Sequence, residues 1–275
     1  MSDFWGSLKM PKSNPIDLMQ NKFLKQVLGV QIQTTNNGVL LETGSVPLTI
    51  YAQKACAKNW VRIARKHCNK LILLSYENAL NNDLMWPNRV RLSFERVGLY
   101  NLFLNPGDKN VEAELFQRLT DIYHQDTFSL IRERSSKLRT YSLVKSAIGI
   151  ENYLQIDMPM HFRKAFTKLR LSNHTLMIEK GRHQKIDVSE RFCKFCPNEV
   201  EDEKHFLMSC TTYKNQRKEL LSVASRKVNG FLFFDIHETF ITLLSNPVLT
   251  LDTACYIYQC FELRDFLLRR AKNNT

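Results

Sequence analysis

Residues 191–213 read RFCKFCPNEVEDEKHFLMSCTTY, and within them Cys193, Cys196, His205 and Cys210 follow the spacing C-x2-C-x8-H-x4-C. No other stretch constrains the chain as strongly. Three thiolates and one imidazole make a complete tetrahedral set for a structural Zn2+, with no position left for a reactive water. A C-x2-C pair aims two sulfurs inward from one tight turn. The acidic insert at residues 198–203 then loops toward the second ligand pair. Five positions separate His205 from Cys210, about 140° around an ideal α-helix. A helix near residues 203–207 therefore has to end or loosen before Cys210. Three thiolates against one divalent ion leave a surplus negative charge, which Arg191, Lys194 and Lys204 are placed to moderate. The bland reading of the same residues is three free thiols and an unrelated histidine.

Cysteine usage agrees with a metal. Seven cysteines, an odd number, follow an N-terminus without a basic-then-apolar secretory pattern. This argues against a disulfide framework and for a reducing compartment, nucleus or cytoplasm. No apolar run approaches the roughly 18 residues of a membrane span, so no membrane partner is expected.

Charge points to a polyanion. The 275 residues carry 39 basic against 27 acidic side chains, a formal +12, and such an excess favours nucleic acid as partner. Two segments concentrate it. Lys54, Lys58 and Arg62 fall on one face of a long helix from about residue 47 to 67, where no acidic residue intervenes between Lys54 and Lys70. Residues 161–185 hold seven Lys or Arg and one acid, Glu179. Arg163, Lys164, Lys168, Arg170, Lys180 and Arg182 are the preferred phosphate contacts there, with His174 and aromatic side chains as weaker stacking candidates. Either basic face also reads as an ordinary solvated helix surface.

Hydrophobic periodicity gives a mainly α chain, an irregular helical array with a small CCHC zinc module and one short hairpin at the metal. Asn14-Pro15 is a helix start, with Ile16, Phe23, Leu24, Val27 and Leu28 on its inward stripe. Further helices are expected over residues 71–81, 88–97, 112–135, 137–148, 213–228, 236–244 and 251–270. Phe162, Ala165, Phe166 and Leu169 form an inward stripe at helical spacing, and residues 231–234, all apolar, should pack. The turn cluster NPGDKN at 105–110 marks a soft boundary. The segments read as a disordered N-terminus (1–14), a helical region (15–105), a basic helical region (111–185), the zinc module (186–228) and C-terminal helices (229–275).

The run KLRLSNHTLMIEKGRH, then C-x2-C, then EDEKHFLMSC resembles the C-terminal region of reverse transcriptases from non-LTR (LINE-type) retrotransposons. The stretch LGVQIQTTNNGVLLETGSVPLTIYAQKACAKNW is similar to the segment downstream of the polymerase core in the same elements, and the likeness covers about residues 15–220. It implies that residues 15–105 form a thumb-like part behind the palm. It also implies a CCHC motif, with ligands Cys193, Cys196, His205 and Cys210, associated with template RNA or target DNA, and an upstream reverse transcriptase polypeptide as a further partner. Eight residues separate Cys196 from His205 where the retroviral nucleocapsid knuckle has four, so the base-stacking roles of that knuckle do not transfer. The Asp-Asp pair that holds the catalytic metals of a polymerase is absent from the sequence, so no enzyme activity is expected. The expected function is therefore nucleic-acid binding by a zinc-containing fragment. The alternatives are a helical protein-interaction scaffold, or a remnant in which zinc is purely structural.

Overall fold

The computed structural model describes residues 14–82, 85–107, 110–133 and 137–273. The expected N-terminal disorder thus lies outside the described residues except for Asn14. The fold is mainly helical, and the described residues form no strand, only two isolated antiparallel bridges, Thr43 with Ile150 and Phe192 with Val200. The chain divides into two compact units, one of residues 1–23 with 45–130, the other of 24–44 with 131–275. The turn cluster at 105–110 lies inside the first unit rather than between units.

Helix α1 (Pro15–Leu28), which gives its residues up to Phe23 to the first unit, opens with Asn14 accepting a hydrogen bond from the Ile16 amide at 2.9 Å. Proline at the first turn loses no hydrogen bond, which is why the helix starts there. The predicted stripe is partly rotated: Leu28 is buried and Ile16 and Leu24 are half-buried, but Phe23 and Val27 are exposed while Asn21 and Lys25 are buried. Polar demand sets this rotation. Helix α3 (Leu48–Ala64) has Pro47 before it and no cap of its own, and Asp17 accepts from both the Thr49 amide (3.0 Å) and hydroxyl (2.9 Å). Gln20 accepts from the Leu48 amide, so α1 supplies the N-terminal cap of α3 through its side chains. Helix α3 buries Cys56, Ala57, Trp60 and Val61, and Trp60 stacks on Phe103 with ring centroids 4.9 Å apart. Val90 and Phe94 of α5 (Met85–Arg96) and Val111 and Leu115 of α7 (Val111–Arg132) complete that core. Helices α4 (Lys70–Asn81) and α6 (Tyr100–Leu104) flank it.

In the second unit, α9 (Met160–Arg170) packs along α13 (Thr250–Asn273). Ala165, Phe166 and Leu169 are buried as their spacing requires, and so are Ala254, Ile257 and Cys260 of α13. Helix α2 (Asn36–Glu42) buries Val39, Leu40, Leu41 and, unusually, Glu42. The helix expected over 137–148 shrinks to α8 (Tyr141–Val144). Lys145 is buried and donates to the Gly149 carbonyl (2.7 Å) and to Glu151 (2.6 Å), which turns the backbone out of helix so that Ile150 can pair with Thr43. Gly44 makes that approach possible, because a Cβ there would lie 2.3 Å from the Ile150 nitrogen. Helix α11 (Lys214–Lys227) precedes a 3-10 turn, Phe231–Phe233, that contradicts the expected packing of all four apolar residues. At three residues per turn, Phe231 and Phe234 share a side, their rings 5.7 Å apart, while Leu232 and Phe233 stand 82% and 91% exposed. Helix α12 (Ile236–Ser245) starts on Asp235 with a full capping box to Glu238, as the aspartate position implied.

Candidate metal centre

The hairpin expected at the metal is present in reduced form. The Phe192–Val200 bridge is flanked by bonds from the Cys193 amide to the Glu199 carbonyl (2.7 Å) and from the Glu201 amide to the Arg191 carbonyl (2.9 Å). Its tip reverses through Asn198 at φ +60°, a left-handed position that asparagine tolerates better than most residues. This brings Cys193 and Cys196 to one side of the loop. The second ligand pair is carried by a π-helical turn, His205–Ser209, in which the Cys210 amide donates to the His205 carbonyl at 2.8 Å. An i to i+5 hydrogen bond widens the turn and brings residues five apart toward the same side, which an α-helix does not do. The wide turn is how the backbone loosens before Cys210. Asp202 seats it by accepting from the His205 amide at 2.6 Å.

The four side chains converge. Their ligand atoms lie within 4.8 Å of one another, and all four residues are buried. The Cys210 sulfur is 4.0 Å from that of Cys193 and 3.7 Å from that of Cys196. For metal–sulfur bonds of about 2.3 Å the edge of a tetrahedron is about 3.8 Å, so the spacing suits one ion at the centre. Both imidazole nitrogens of His205 are buried without a hydrogen bond, the orphaned state of a side chain whose partner is a metal. Packed so closely, the Cys193 thiol resists ionisation. The hydrogen bond with Cys210, then burial, pushes the Cys193 thiol up to about 12, while the same contact with Cys193 lowers Cys210. A cation reverses that balance, since it binds and stabilises thiolates. This Cys3His group can hold a metal ion, and its saturated donor set is that of a structural site.

A buried polar frame holds the site. Glu201 accepts two bonds from Arg264 of α13 (2.9 and 2.8 Å) and one from the Met177 amide at the start of α10 (Met177–His183) (2.7 Å). Two residues on, Glu203 accepts from Arg139 (2.6 Å) and pairs with His174 (2.8 Å). Burial raises the Glu203 pKa, but the His174 bond and charge, then Arg139, outweigh it and bring the carboxyl down to about 2. Arg191 does not face the sulfurs. Its guanidinium donates to the Ile178 carbonyl (2.8 Å) and the Ile186 carbonyl (3.0 and 2.9 Å), passing so close to Gly181 that a Cβ there would meet its Cγ at 2.7 Å. Lys194 and Lys204 are exposed beside the ligands.

The predicted phosphate contacts separate into groups. Arg170 is a correction. It is 1% exposed, bonded to Glu42, Glu151 and the Leu244 carbonyl, and surrounded by Tyr141, Tyr153 and Phe166. Its position on α9 faces the core, where no nucleic-acid strand can reach. Arg182 is paired with Glu179 at 2.7 Å, and Arg163 donates to the Ile156 carbonyl at 2.7 Å. Lys54 lies over the Phe116 ring, 4.5 Å from its centre. Lys164 and Lys180 are exposed and Lys168 half-buried, as Lys58 and Arg62 are exposed in the first unit. His174, a stacking candidate, is spent on Glu203, its side chain 1% exposed. Sequence reasoning missed Glu201, Glu203 and Arg264. Two acids at i, i+2 beside a ligand histidine were the available signal. Compared with family models, curated proteins and solved structures, the chain yields no match.

Proposed function

We propose that this chain is a nucleic-acid-binding module, derived from the C-terminal region of a non-LTR retrotransposon reverse transcriptase, with a structural zinc ion in its Cys3His site. The observations that support this most are the closed, buried ligand set and the exposed lysines of the same unit, among them Lys164, Lys180 and Lys194. Three soft sulfurs and one imidazole in tetrahedral array favour zinc over harder cations. Zinc would supply no reaction here. It would fix the 193–210 loop, and cations such as Lys164, Lys168 and Lys180 would bind RNA or single-stranded DNA through phosphate. The sequence has no Asp-Asp pair, so no polymerase step is assigned to it.

Two measurements test the reading. Chelator-free purification under reducing conditions should give about one equivalent of zinc; less than about a tenth would refute the metal. Affinity for single-stranded RNA should fall steeply with salt, and Lys164→Gln with Lys168→Gln should flatten the log–log slope by about 1.4. The exposed pair Leu232 and Phe233 favours a second reading, a protein-interaction scaffold. Absence of any nucleic-acid binding at low salt would select that one.

A further inference from the structure

A cleft of about 750 Å3 opens in the second unit between α10, the C-terminal turns of α13 and the first metal loop. Three elements each send a cation to its wall: Lys180 from α10, Lys194 from between the two paired cysteines, and Arg269 from α13. Among the described residues none of these three makes an ion pair. Arg264 also lines the cleft, but both of its bonds go to Glu201, so its charge is already neutralised. Asp265 is the one acid in the lining. The uncompensated balance is thus three cations against one carboxylate, with His183 adding a further donor. The floor is different in kind. Met177 and Leu268 give it apolar surface, and the Gln31 amide and Thr175 hydroxyl give it neutral hydrogen-bonding groups.

We infer that this cleft is the seat of a single-stranded nucleic-acid segment, with Lys180, Lys194 and Arg269 on its phosphates and a base against Met177 and Leu268. The inference rests on the nucleic-acid reading above and specifies where the strand lies. A cationic rim alone suits any polyanion. The apolar floor selects one with a flat, partly apolar face that can leave solvent, which an unpaired base has and a duplex keeps stacked inside. The volume lies within the range of about 300–1,000 Å3 that encloses a small organic ligand, so it takes one or two nucleotides of a longer strand. Lys194 sits in the metal loop, and this position makes the ion part of the binding surface: holding Cys193 and Cys196 also holds the lysine between them.

The test uses the full chain, a short fluorescein-labelled oligouridylate, and anisotropy over a range of salt. All three cations are solvent-facing, so the triple variant Lys180→Gln, Lys194→Gln, Arg269→Gln should keep its helicity and its metal. It should weaken binding at low salt by about tenfold or more and reduce the log–log salt slope by about 2, for three lost single-strand phosphate contacts. The charge-matched variant Lys70→Gln, Lys218→Gln, Arg226→Gln should leave both nearly unchanged. A 4-thiouridine probe should crosslink within residues 174–194 or 264–271. If the wild type binds and the triple variant binds equally well, the cleft assignment fails while the nucleic-acid reading stands. Equal losses from the two variants would reduce the effect to net charge and overturn the cleft. Displacement by polyglutamate or uridine monophosphate as effective as by oligouridylate would overturn the strand in favour of a generic anion site. No binding by the wild type at low salt would refute the inference and the broader reading together.

Discussion

Arg170→Met is the most demanding perturbation the second unit allows. The guanidinium donates to Glu42 at 2.8 Å, to Glu151 at 2.5 Å and to the Leu244 carbonyl at 2.6 Å, and Glu42 is 0% exposed. Methionine keeps the length of the stem, so little volume is lost. What remains is a carboxylate with neither solvent nor counter-charge, and breaking a buried pair from one side costs about 3–5 kcal/mol. Glu151 suffers less, being 20% exposed and still held by Lys145. The double variant Arg170→Met, Glu42→Met removes both charges and should cost under about 2 kcal/mol, leaving a coupling of at least about 1 kcal/mol. Tryptophan fluorescence is a poor reporter of the effect, because the two tryptophans among the described residues, Trp60 and Trp86, both belong to the first unit. Amide hydrogen exchange over residues 160–171 reads it directly. The single variant should exchange about a hundredfold faster than wild type, or faster still, and the double variant should recover most of that protection. If the single variant costs under about 1 kcal/mol, or if the two variants are equally damaged, the buried pair does not hold the helix in the manner described. The double variant also checks the revised role of Arg170: a residue that never meets phosphate leaves the salt slope of RNA binding unaltered.

Cys196→Ser should abolish stoichiometric metal binding and expose residues 191–213 to limited proteolysis, while tryptophan emission from the first unit stays native; elemental analysis and peptide mapping read the two effects. Gly181→Ala places a methyl 2.7 Å from the Arg191 Cγ and dislodges a guanidinium that holds two carbonyls, so the second unit should lose about 1–3 kcal/mol in urea unfolding followed by exchange. Gly44→Ala should cost about 2 kcal/mol or more, because φ is +62° and the added carbon would meet the Ile150 backbone nitrogen, which cannot swing aside. Melting temperatures of the purified variants check both glycines.

Helix identity was largely legible because it is local. Asn14-Pro15, the Asp235 cap and the stripe Ala165, Phe166, Leu169 carry their own signals, and each sits where its chemistry requires. The ligand set was legible for the same reason: the spacing of four donor residues is a property of one short segment. What escaped depends on partners distant in sequence. Arg170 reads as one more surface cation until Glu42, 128 positions earlier, is beside it. Helix α1 turns Phe23 and Val27 of its predicted stripe outward because Asp17 and Gln20 are taken by the open end of α3. The failed helix over 137–148 likewise answers to a bridge with Thr43. The compact units interleave along the chain, so segments cut in linear order could not reproduce them.

The acidic rungs at positions 201 and 203 couple the ligand group to more than its own loop. One grips the guanidinium of Arg264 on the last helix and the other that of Arg139, so the segment that carries His205 is tied to both. Oxidising one of the three thiols would therefore act beyond the ligand loop, on the segment whose carboxylate fixes Arg264 and through it the carboxy-terminal 24-residue helix.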